Sequence, residues 1–182
     1  MQHYSDKELI DLFKQGDNKN YAFNLLVRKY QEKVYWHVRK IVINHEDAND
    51  LTQNIFIKIF KNLRNFRQDS ELFTWIYRIA TNESISFLNK KRKKLFLPIV
   101  DVEQGFINSL KDDPYFNGDE LQLKLREAIL KLPEKQRIIF NMKYFDEMKY
   151  EDMADILETS VGALKASYHH AVKKIEKYML EH

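Results

Sequence analysis

Side chains that can bind phosphate and read bases are concentrated in one short segment near the C-terminal end of the chain. Three lysines and two adjacent histidines lie between residues 165 and 174: Lys165, His169, His170, Lys173 and Lys174. On a helix they lie away from an apolar stripe made of Leu164, Tyr168, Ala171, Ile175 and Tyr178. Amines bind phosphate, and small or imidazole groups can approach base edges in the major groove. The segment therefore predicts a DNA-reading helix.

A shorter helical segment precedes this one at the spacing of a helix-turn-helix. Residues 150–157, YEDMADIL, are followed by a three-residue connection in which Ser160 can cap the next helix. We include Ser160 and Ser167 among the candidate contacts to duplex DNA. The same spacing also fits an ordinary helical hairpin with a solvated face, but the small and mildly basic face favours the helix-turn-helix.

Five consecutive cations mark a second candidate nucleic-acid surface: Lys90, Lys91, Arg92, Lys93 and Lys94. Cations at a helix C-terminus also stabilise its dipole, but five in succession surround the helix and favour contact with phosphate. Aromatic and polar residues alternate upstream, in a pattern suited to stacking on single-stranded bases. They are Phe73, Trp75, Tyr77, Arg78, Thr81 and Asn82. For Trp75 or Tyr77 taken alone, packing in the core is the simpler explanation.

Helices must position all of these groups, because the periodicity is helical throughout and the chain has only 4 Gly and 3 Pro. The N-terminal part predicts four helices. Ser5 and Glu8 form a capping box, Gly16 ends the first helix, and Asn18 caps a long second one. The third runs from about 46 to 62, and the fourth from about 70 to 94. The C-terminal part predicts helices at 121–132, 134–144, 150–157 and 161–180. The predicted fold class is all-α, with two small helical domains.

The boundary between the two domains is predicted at residues 96–120. Two prolines and two glycines fall there: Pro98, Gly105, Pro114 and Gly118. The segment also contains six acidic residues and only one lysine. The segment has a charge of −5, so the rest of the chain has +8, given a net charge of +3. We interpret it as an acidic linker between domains 1–95 and 121–182. Its apolar residues either dock on a partner or pack back on the domains.

Several classes of protein are disfavoured by what the sequence lacks. The absence of cysteine excludes disulfides and thiolate metal sites and fits a reducing cytoplasm. The N-terminal residues lack the pattern of a signal peptide, and no apolar run is long enough to span a bilayer. No metalloprotease motif, phosphate loop or nucleophile elbow occurs, and His45 at the start of a helix lacks distant histidine partners. We therefore expect a cytoplasmic protein without catalytic residues, metal or cofactor.

The order of the segments resembles one family. HEDANDLTQNIFIKIFKNL is similar to the acidic helix of bacterial RNA polymerase sigma factors, and FTWIYRIATNESISFLNKKRKK is similar to the helix that follows it. Residues 125–157 and 160–175 resemble the C-terminal domain of that family. The two domains and the short linker resemble the extracytoplasmic-function (ECF) group. The resemblance covers residues 22–94 and 121–177, with four motifs in the correct order.

The resemblance implies a partner and a task for each region. The helix carrying Asp47, Asp50, Gln53 and Phe56 would bind the clamp of the largest subunit of RNA polymerase core. The loop 63–71 and the helices around it would recognise and open the −10 promoter element. The residues assigned to this task are Asn65, Arg67, Trp75, Tyr77, Arg78, Asn82, Lys90, Lys91 and Arg92. An anti-sigma factor is a further partner that the resemblance allows, and stable insertion into a membrane is not expected.

The C-terminal domain would then read the −35 element of promoter DNA as duplex. Its recognition helix departs from the family pattern, which often has arginines where this chain has Ser167, His170 and Val172. The glycine that is usual in the turn is Glu158 here. Fewer fixed charges predict weaker phosphate anchoring. The alternative function is a stand-alone helix-turn-helix regulator, which would need a dimerisation or ligand-sensing domain and would not join polymerase core.

Overall fold

Helices make up every regular element of the computed structural model, which describes residues 4–16, 18–95 and 120–181. In chain order they are α1 (Asp6–Gln15), α2 (Lys19–Val42), α3 (His45–Asn62), a 3-10 turn (Leu63–Asn65), α4 (Leu72–Leu95), α5 (Glu120–Leu130), α6 (Glu134–Tyr144), α7 (Tyr150–Leu157) and α8 (Val161–Glu181). The predicted all-α fold class is confirmed. The proposed linker 96–120 lies outside the described residues, except for Glu120, which begins α5.

Local capping explains where the first helices begin and end. The Ser5 hydroxyl accepts a hydrogen bond from the Glu8 amide at 3.3 Å, and the Glu8 carboxylate accepts one from the Ser5 amide at 2.7 Å. Gly16 ends α1 with a φ of 94°, which a residue without a side chain adopts at low cost. Asn18 precedes α2 as predicted, but its side chain makes no capping hydrogen bond. Asn44 caps α3 by accepting from the Asp47 amide at 2.9 Å.

The apolar stripe of α3 fixes the direction in which its polar face points. Its stripe residues Leu51, Ile55, Ile59 and Leu63 are all buried against α2 and α4. An amphipathic helix held in this way must present its opposite face outward. The carboxylates and amides of α3 are thus available at the surface.

The C-terminal helices form the helix-turn-helix predicted from spacing. Ser160 caps α8 by accepting from the Ala163 amide at 3.2 Å, as expected. In the turn, Glu158 has a left-handed backbone with φ of 50° and ψ of 48°. That conformation favours glycine, so the glutamate fills a glycine-like position at some cost. The α8 residues Leu164, Ala171 and Ile175 are buried, which leaves the cationic face of that helix outside.

The two helical regions pack against each other. α4 contacts α7, and α2 contacts α6. One buried apolar cluster continues from the N-terminal helices into the C-terminal ones through Ile138, Met142, Met148, Met153 and Ile156. The sequence did not predict this junction, because the periodicity of a helix indicates which face is buried but not which distant helix covers it. No helix in the described parts of the chain has the length and apolar character to cross a membrane.

Candidate nucleic-acid and protein interfaces

The outward face of α3 carries the acidic and amide groups predicted to bind polymerase. Asp50 and Gln53 are exposed, and Asp47, one turn earlier, is half-buried. The Asp47 carboxylate forms an ion pair with Lys91 of α4 at 2.5 Å. The first acidic group of the face is therefore already tied to the cationic run, whereas Asp50 projects into solvent beyond it.

Phe56 does not belong to this outward face. Its side chain is buried, and its ring lies edge-on to Phe23 with 6.5 Å between centroids. Ile57, the next residue, is 52% exposed and follows Gln53 by one helical turn. Phe56 is therefore not an exposed contact for polymerase, and the apolar residue that this face presents is Ile57. A one-residue error of this kind turns a helical side chain by about 100°.

The loop between α3 and α4 is anchored from inside and open outside. Phe66 is buried and packs on the half-buried Trp75, with 5.0 Å between ring centroids, while Lys14 donates to the Phe66 carbonyl at 2.9 Å. Asn65 and Arg67, on either side of Phe66, are exposed. The loop thus presents a polar and a cationic side chain on a fixed support.

Within α4 the predicted DNA contacts divide into buried and accessible residues. Tyr77 is only 4% exposed, with its ring centroid 4.3 Å from that of Phe73 and 4.7 Å from that of His37. Burial, together with the charge of Asp146, raises the pKa of Tyr77 above its ordinary value. Its ring is enclosed by the protein and cannot stack on a base in this arrangement. The burial of Tyr77 therefore contradicts the predicted contact of its ring with DNA.

The remaining α4 candidates lie nearer the surface. Asn82 is exposed, and Trp75 and Arg78 are half-buried. The Nε atom of Arg78 is enclosed without a hydrogen-bond partner among the described residues. Of these three residues Asn82 is the most open to a nucleic-acid strand, and Trp75 and Arg78 are only partly open.

The cationic run at the end of α4 is partly neutralised within the protein. Lys90, Lys91 and Lys93 are exposed, and Lys91 carries the ion pair with Asp47 described above. Arg92 is half-buried and forms an ion pair with Glu134, the first residue of α6 in the other helical region. Lys90 and Lys93 thus present exposed amines, whereas Lys91 and Arg92 are paired with carboxylates of the protein itself.

The outward face of α8 keeps the predicted reading residues together. Ser160, Lys165, His169, His170, Lys173 and Lys174 are exposed, and Ser167 is half-buried. The two histidine rings lie 6.0 Å apart. The amine of Lys174 reaches Gln136 at 3.0 Å, and that of Lys165 lies 5.6 Å from the ring of Tyr150. Both lysines are thus held near the edges of the helix, flanking the histidines.

One polar cluster at the junction of the two regions was not predicted. His37 is buried; its Nδ1 lies 3.0 Å from Asp146, and its Nε2 lies 2.9 Å from the Thr81 hydroxyl. Lys40 forms an ion pair with the same carboxylate. Burial acts to raise the pKa of Asp146, but the hydrogen bonds and charges of His37 and Lys40 outweigh it and lower the pKa. His37 and Asp146 are 109 positions apart in the chain, and no pattern in the sequence indicated that they would meet.

No group of three histidine, aspartate or glutamate side chains in the described ranges is placed to hold a metal ion. The predicted contact residues lie on three outward surfaces: the acidic face of α3, the loop with α4 and its cationic end, and the face of α8.

Comparison with known families assigns both regions. Residues 26–94 match the family described as Sigma-70 region 2, and residues 122–175 match Sigma-70, region 4. The sigma-H factor of Pseudomonas aeruginosa is 30% identical over 94% of this chain and 92% of its own length. The ECF sigma-E factor of Escherichia coli K12 is 32% identical, over 94% of this chain and 93% of its own length. The ECF factor SigW of Bacillus subtilis is 30% identical over 95% of this chain and 96% of its own length.

Solved structures share the same helical fold. One is CnrH in complex with the cytosolic domain of CnrY, with a TM-score of 0.66 and 20% identity over 94% of this chain and 95% of that one. Another is the sigma factor RpoE in complex with the anti-sigma factor NepR from Bartonella quintana. It has a TM-score of 0.68 and 18% identity, over 86% of this chain and 96% of that one. The arrangement of helices is therefore one that such chains adopt.

Proposed function

The chain belongs to the ECF group of bacterial RNA polymerase sigma factors, and from this premise we propose which of its surfaces bind polymerase core and which bind promoter DNA. It is a transcription initiation factor that recognises −35 and −10 promoter elements for the polymerase. One observation carries the assignment: the two family regions occur in order along the chain, each on its own set of helices with its own outward surface.

The chain divides into a polymerase-binding and −10-recognising domain at 1–95, a linker at 96–120, and a −35-recognising domain at 121–182. The matched family regions, 26–94 and 122–175, fall on either side of that linker and support the division. The acidic charge of the linker suits a path through a cationic channel of the polymerase.

Polymerase core binds the outward face of α3. Asp50 and Gln53 offer a carboxylate and an amide one turn apart, and Asp47 adds a second carboxylate when Lys91 turns to DNA. Ile57 supplies exposed apolar area beside them. An acidic and polar face with an aliphatic group beside it suits a cationic, helical surface on the clamp of the largest subunit.

The −10 element lies against the loop 63–71, α4 and the cationic end of that helix. Asn65, Arg67 and Asn82 contact an opened strand, with Trp75 and Arg78 behind them. Lys90, Lys91 and Arg92 bind the phosphates alongside. Tyr77 supports this surface from inside and does not contact DNA.

The −35 element receives α8 in its major groove. Ser167, His169 and His170 lie over base edges, and Ser160, Lys165, Lys173 and Lys174 meet phosphates on either side. Hydroxyl and imidazole groups can donate or accept, so they can distinguish base pairs. The lysines position the helix but carry little sequence information.

The protein acts in the cytoplasm, where polymerase and promoter DNA are found, and it has no catalytic activity of its own. An anti-sigma factor is a further partner, a proposal supported by the folds that this chain shares with CnrH and with RpoE in complex with NepR. A stand-alone regulator is not favoured, because residues 26–94, which span most of α2 and all of α3 and α4 but its last residue, match a sigma-70 region where such a protein would have a sensing or dimerisation domain.

Transcription of a genomic fragment library by purified core polymerase, with and without the protein, tests this function. We expect new start sites only when the protein is present, preceded by two shared sequence elements near −10 and −35. Core polymerase alone is the control. Identical start sites in both reactions would contradict the proposal, and a single shared element would point to a regulator that binds one site.

A further inference from the structure

A cavity of about 150 Å³ opens to solvent between α2 and the helices α5 and α6, away from the three surfaces assigned to polymerase and promoter DNA. Its floor is apolar: Ile43, Ile129 and Leu130 line it, and all three side chains are buried. Filling an apolar floor of this kind with an apolar group removes surface from water and is favourable. The floor therefore suits the apolar part of a small molecule.

Aromatic rings form part of the wall. Trp36 is 45% exposed and Phe145 is 43% exposed, and both line the cavity. Tyr35 also lines it and lies edge-on to Trp36, with 5.2 Å between ring centroids. Exposed rings beside a cavity gain by packing against another flat ring. A cavity of about 150 Å³ has room for one six-membered ring.

The charge of the cavity has one sign. Four cations line it, Arg39, Lys40, Arg126 and Arg137, and no carboxylate belongs to the lining among the residues that the structure describes. Lys40 shares its charge with Asp146, so the three guanidinium groups dominate the potential inside. A cleft lined by charges of one sign concentrates the opposite charge. The ligand expected here is therefore an anion.

Two of the arginines are fixed, and one is accessible. Arg39 and Arg137 are buried, and the guanidinium of Arg137 donates to the Leu130 carbonyl at 3.2 Å. Arg126 is exposed and can turn toward a ligand. A guanidinium offers two parallel N–H groups, which match the two oxygens of a carboxylate. Arg126 is thus placed to bind a carboxylate whose apolar part fills the cavity.

We propose that this cavity binds a small aromatic carboxylate, with its ring between Trp36 and Phe145 and its carboxylate against Arg126. A nucleotide, with base, sugar and phosphate, is too large for the volume. This ligand site does not depend on the promoter-binding function proposed above, and the two stand or fall separately.

Benzoate is the probe, because it has one ring and one carboxylate. The chain has two tryptophans, so Trp75→Phe leaves Trp36 as the single fluorescent reporter at the cavity. Titration at constant ionic strength should change its emission with a Kd of about 0.1–1 mM, as expected for so small a ligand. Benzyl alcohol has the ring without the charge, and acetate has the charge without the ring. Each should bind at least about tenfold more weakly, and equal binding of either one would overturn the proposal.

Matched variants locate the binding. Arg126→Gln should weaken benzoate binding about tenfold, since it removes a charge-assisted contact. Lys135→Gln removes an exposed cation of α6 that does not line the cavity and should leave the Kd unchanged.

Phe145→Ala removes a ring of the wall and should weaken binding several-fold. Its control is Tyr144→Ala, the adjacent exposed ring, which does not line the cavity. Circular dichroism should show the same helix content in all four variants. Unaltered benzoate binding in Arg126→Gln or in Phe145→Ala would overturn the proposal.

Thermal unfolding gives a second readout that needs no fluorescent reporter. A ligand that binds only the folded chain stabilises it, so benzoate at about ten times its Kd should raise the Tm of the parent protein by a few degrees. Arg126→Gln should show a smaller rise at the same concentration. An equal rise with acetate would indicate a general effect of salt and would contradict a specific site.

Discussion

Helices α4 and α8 were both predicted to touch DNA, and they differ in how many sides the protein covers. α8 lies on its own domain along one stripe, so its lysines and histidines are exposed together. α4 packs against α2, α3 and α7 and buries side chains around more of its circumference, including Thr74, Tyr77 and Ser84, whereas α8 buries only Leu164, Ala171 and Ile175. Tyr77 on this helix is therefore buried, although its aromatic character suited base stacking. The comparison teaches that residue types predict surface contacts reliably only for a helix with one face open to solvent.

The largest effect expected is on stability, from a change within α4. Tyr77→Ala should lower the free energy of unfolding by about 3–5 kcal/mol, as for other large aromatic side chains removed from a core. Chemical denaturation of the purified protein measures it. Asn82→Ala, on the exposed side of the same helix, is the matched control and should change stability by less than about 0.5 kcal/mol.

Strand opening should show the reverse order for these two positions. Asn82→Ala should reduce the permanganate reactivity of the −10 region on a duplex promoter. On a pre-melted promoter the same variant should reduce that reactivity less. If Asn82→Ala destabilises the fold as much as Tyr77→Ala does, the division of α4 into an inner and an outer side is wrong.

The next effect is expected at the polymerase face of α3. Asp50→Arg reverses an exposed charge within an interface of complementary charge, which should cost about 2 kcal/mol or more in binding free energy. Core polymerase should therefore fail to co-elute with this variant at concentrations where it retains the parent. Asp155→Arg on α7 makes the same charge change away from that face and should co-elute normally. Equal retention of both variants would contradict the assignment of α3.

Smaller effects are expected on α8, where phosphate and base contacts should separate. Lys173→Ala should weaken binding of the holoenzyme to all −35 sequences alike and reduce the slope of log affinity against log salt by about 1. His169→Ala should leave that slope unchanged and alter which base is preferred. A binding series over a randomised −35 element at several salt concentrations measures both. A preference profile unchanged by His169→Ala would move the reading surface away from this face.

The smallest effect concerns pH at the junction of the two regions. The pKa of Asp146 is lowered in the folded protein, so its contribution to stability is present above the ordinary carboxyl pKa near 3.8. That contribution is lost as pH falls through the lower folded value. The difference in unfolding free energy between the parent and Asp146→Asn should therefore shrink below about pH 4. A difference that stayed constant down to pH 2 would mean that Asp146 gains nothing from His37 and Lys40.

Elements with their own caps and stripes could be predicted from the sequence. The box of Ser5 and Glu8, the cap at Ser160 and the stripe of α8 act within a few residues, and all three are confirmed. Local hydrogen bonds and helical periodicity depend only on neighbours in the chain, so the sequence contains them.

Groups whose surroundings come from distant segments could not be predicted. The partners of His37 and Arg92 are supplied from α6 and the turn after it. The choice between Phe56 and Ile57 depended on how α2 packs on α3, since both are apolar neighbours in sequence. Packing between segments decides such cases, and composition and spacing do not record it.

Crosslinking from each surface on one promoter tests the central claim most directly, which is that two separate surfaces read two elements together. Since the chain has no cysteine, Asn82→Cys and His170→Cys can each carry a single photoactivatable group in the holoenzyme. The account predicts crosslinks from position 82 to the opened strand near −10 and from position 170 to duplex near −35, on the same molecule of DNA. Crosslinks from both positions to one element, or from position 82 to neither strand of an opened promoter, would contradict it.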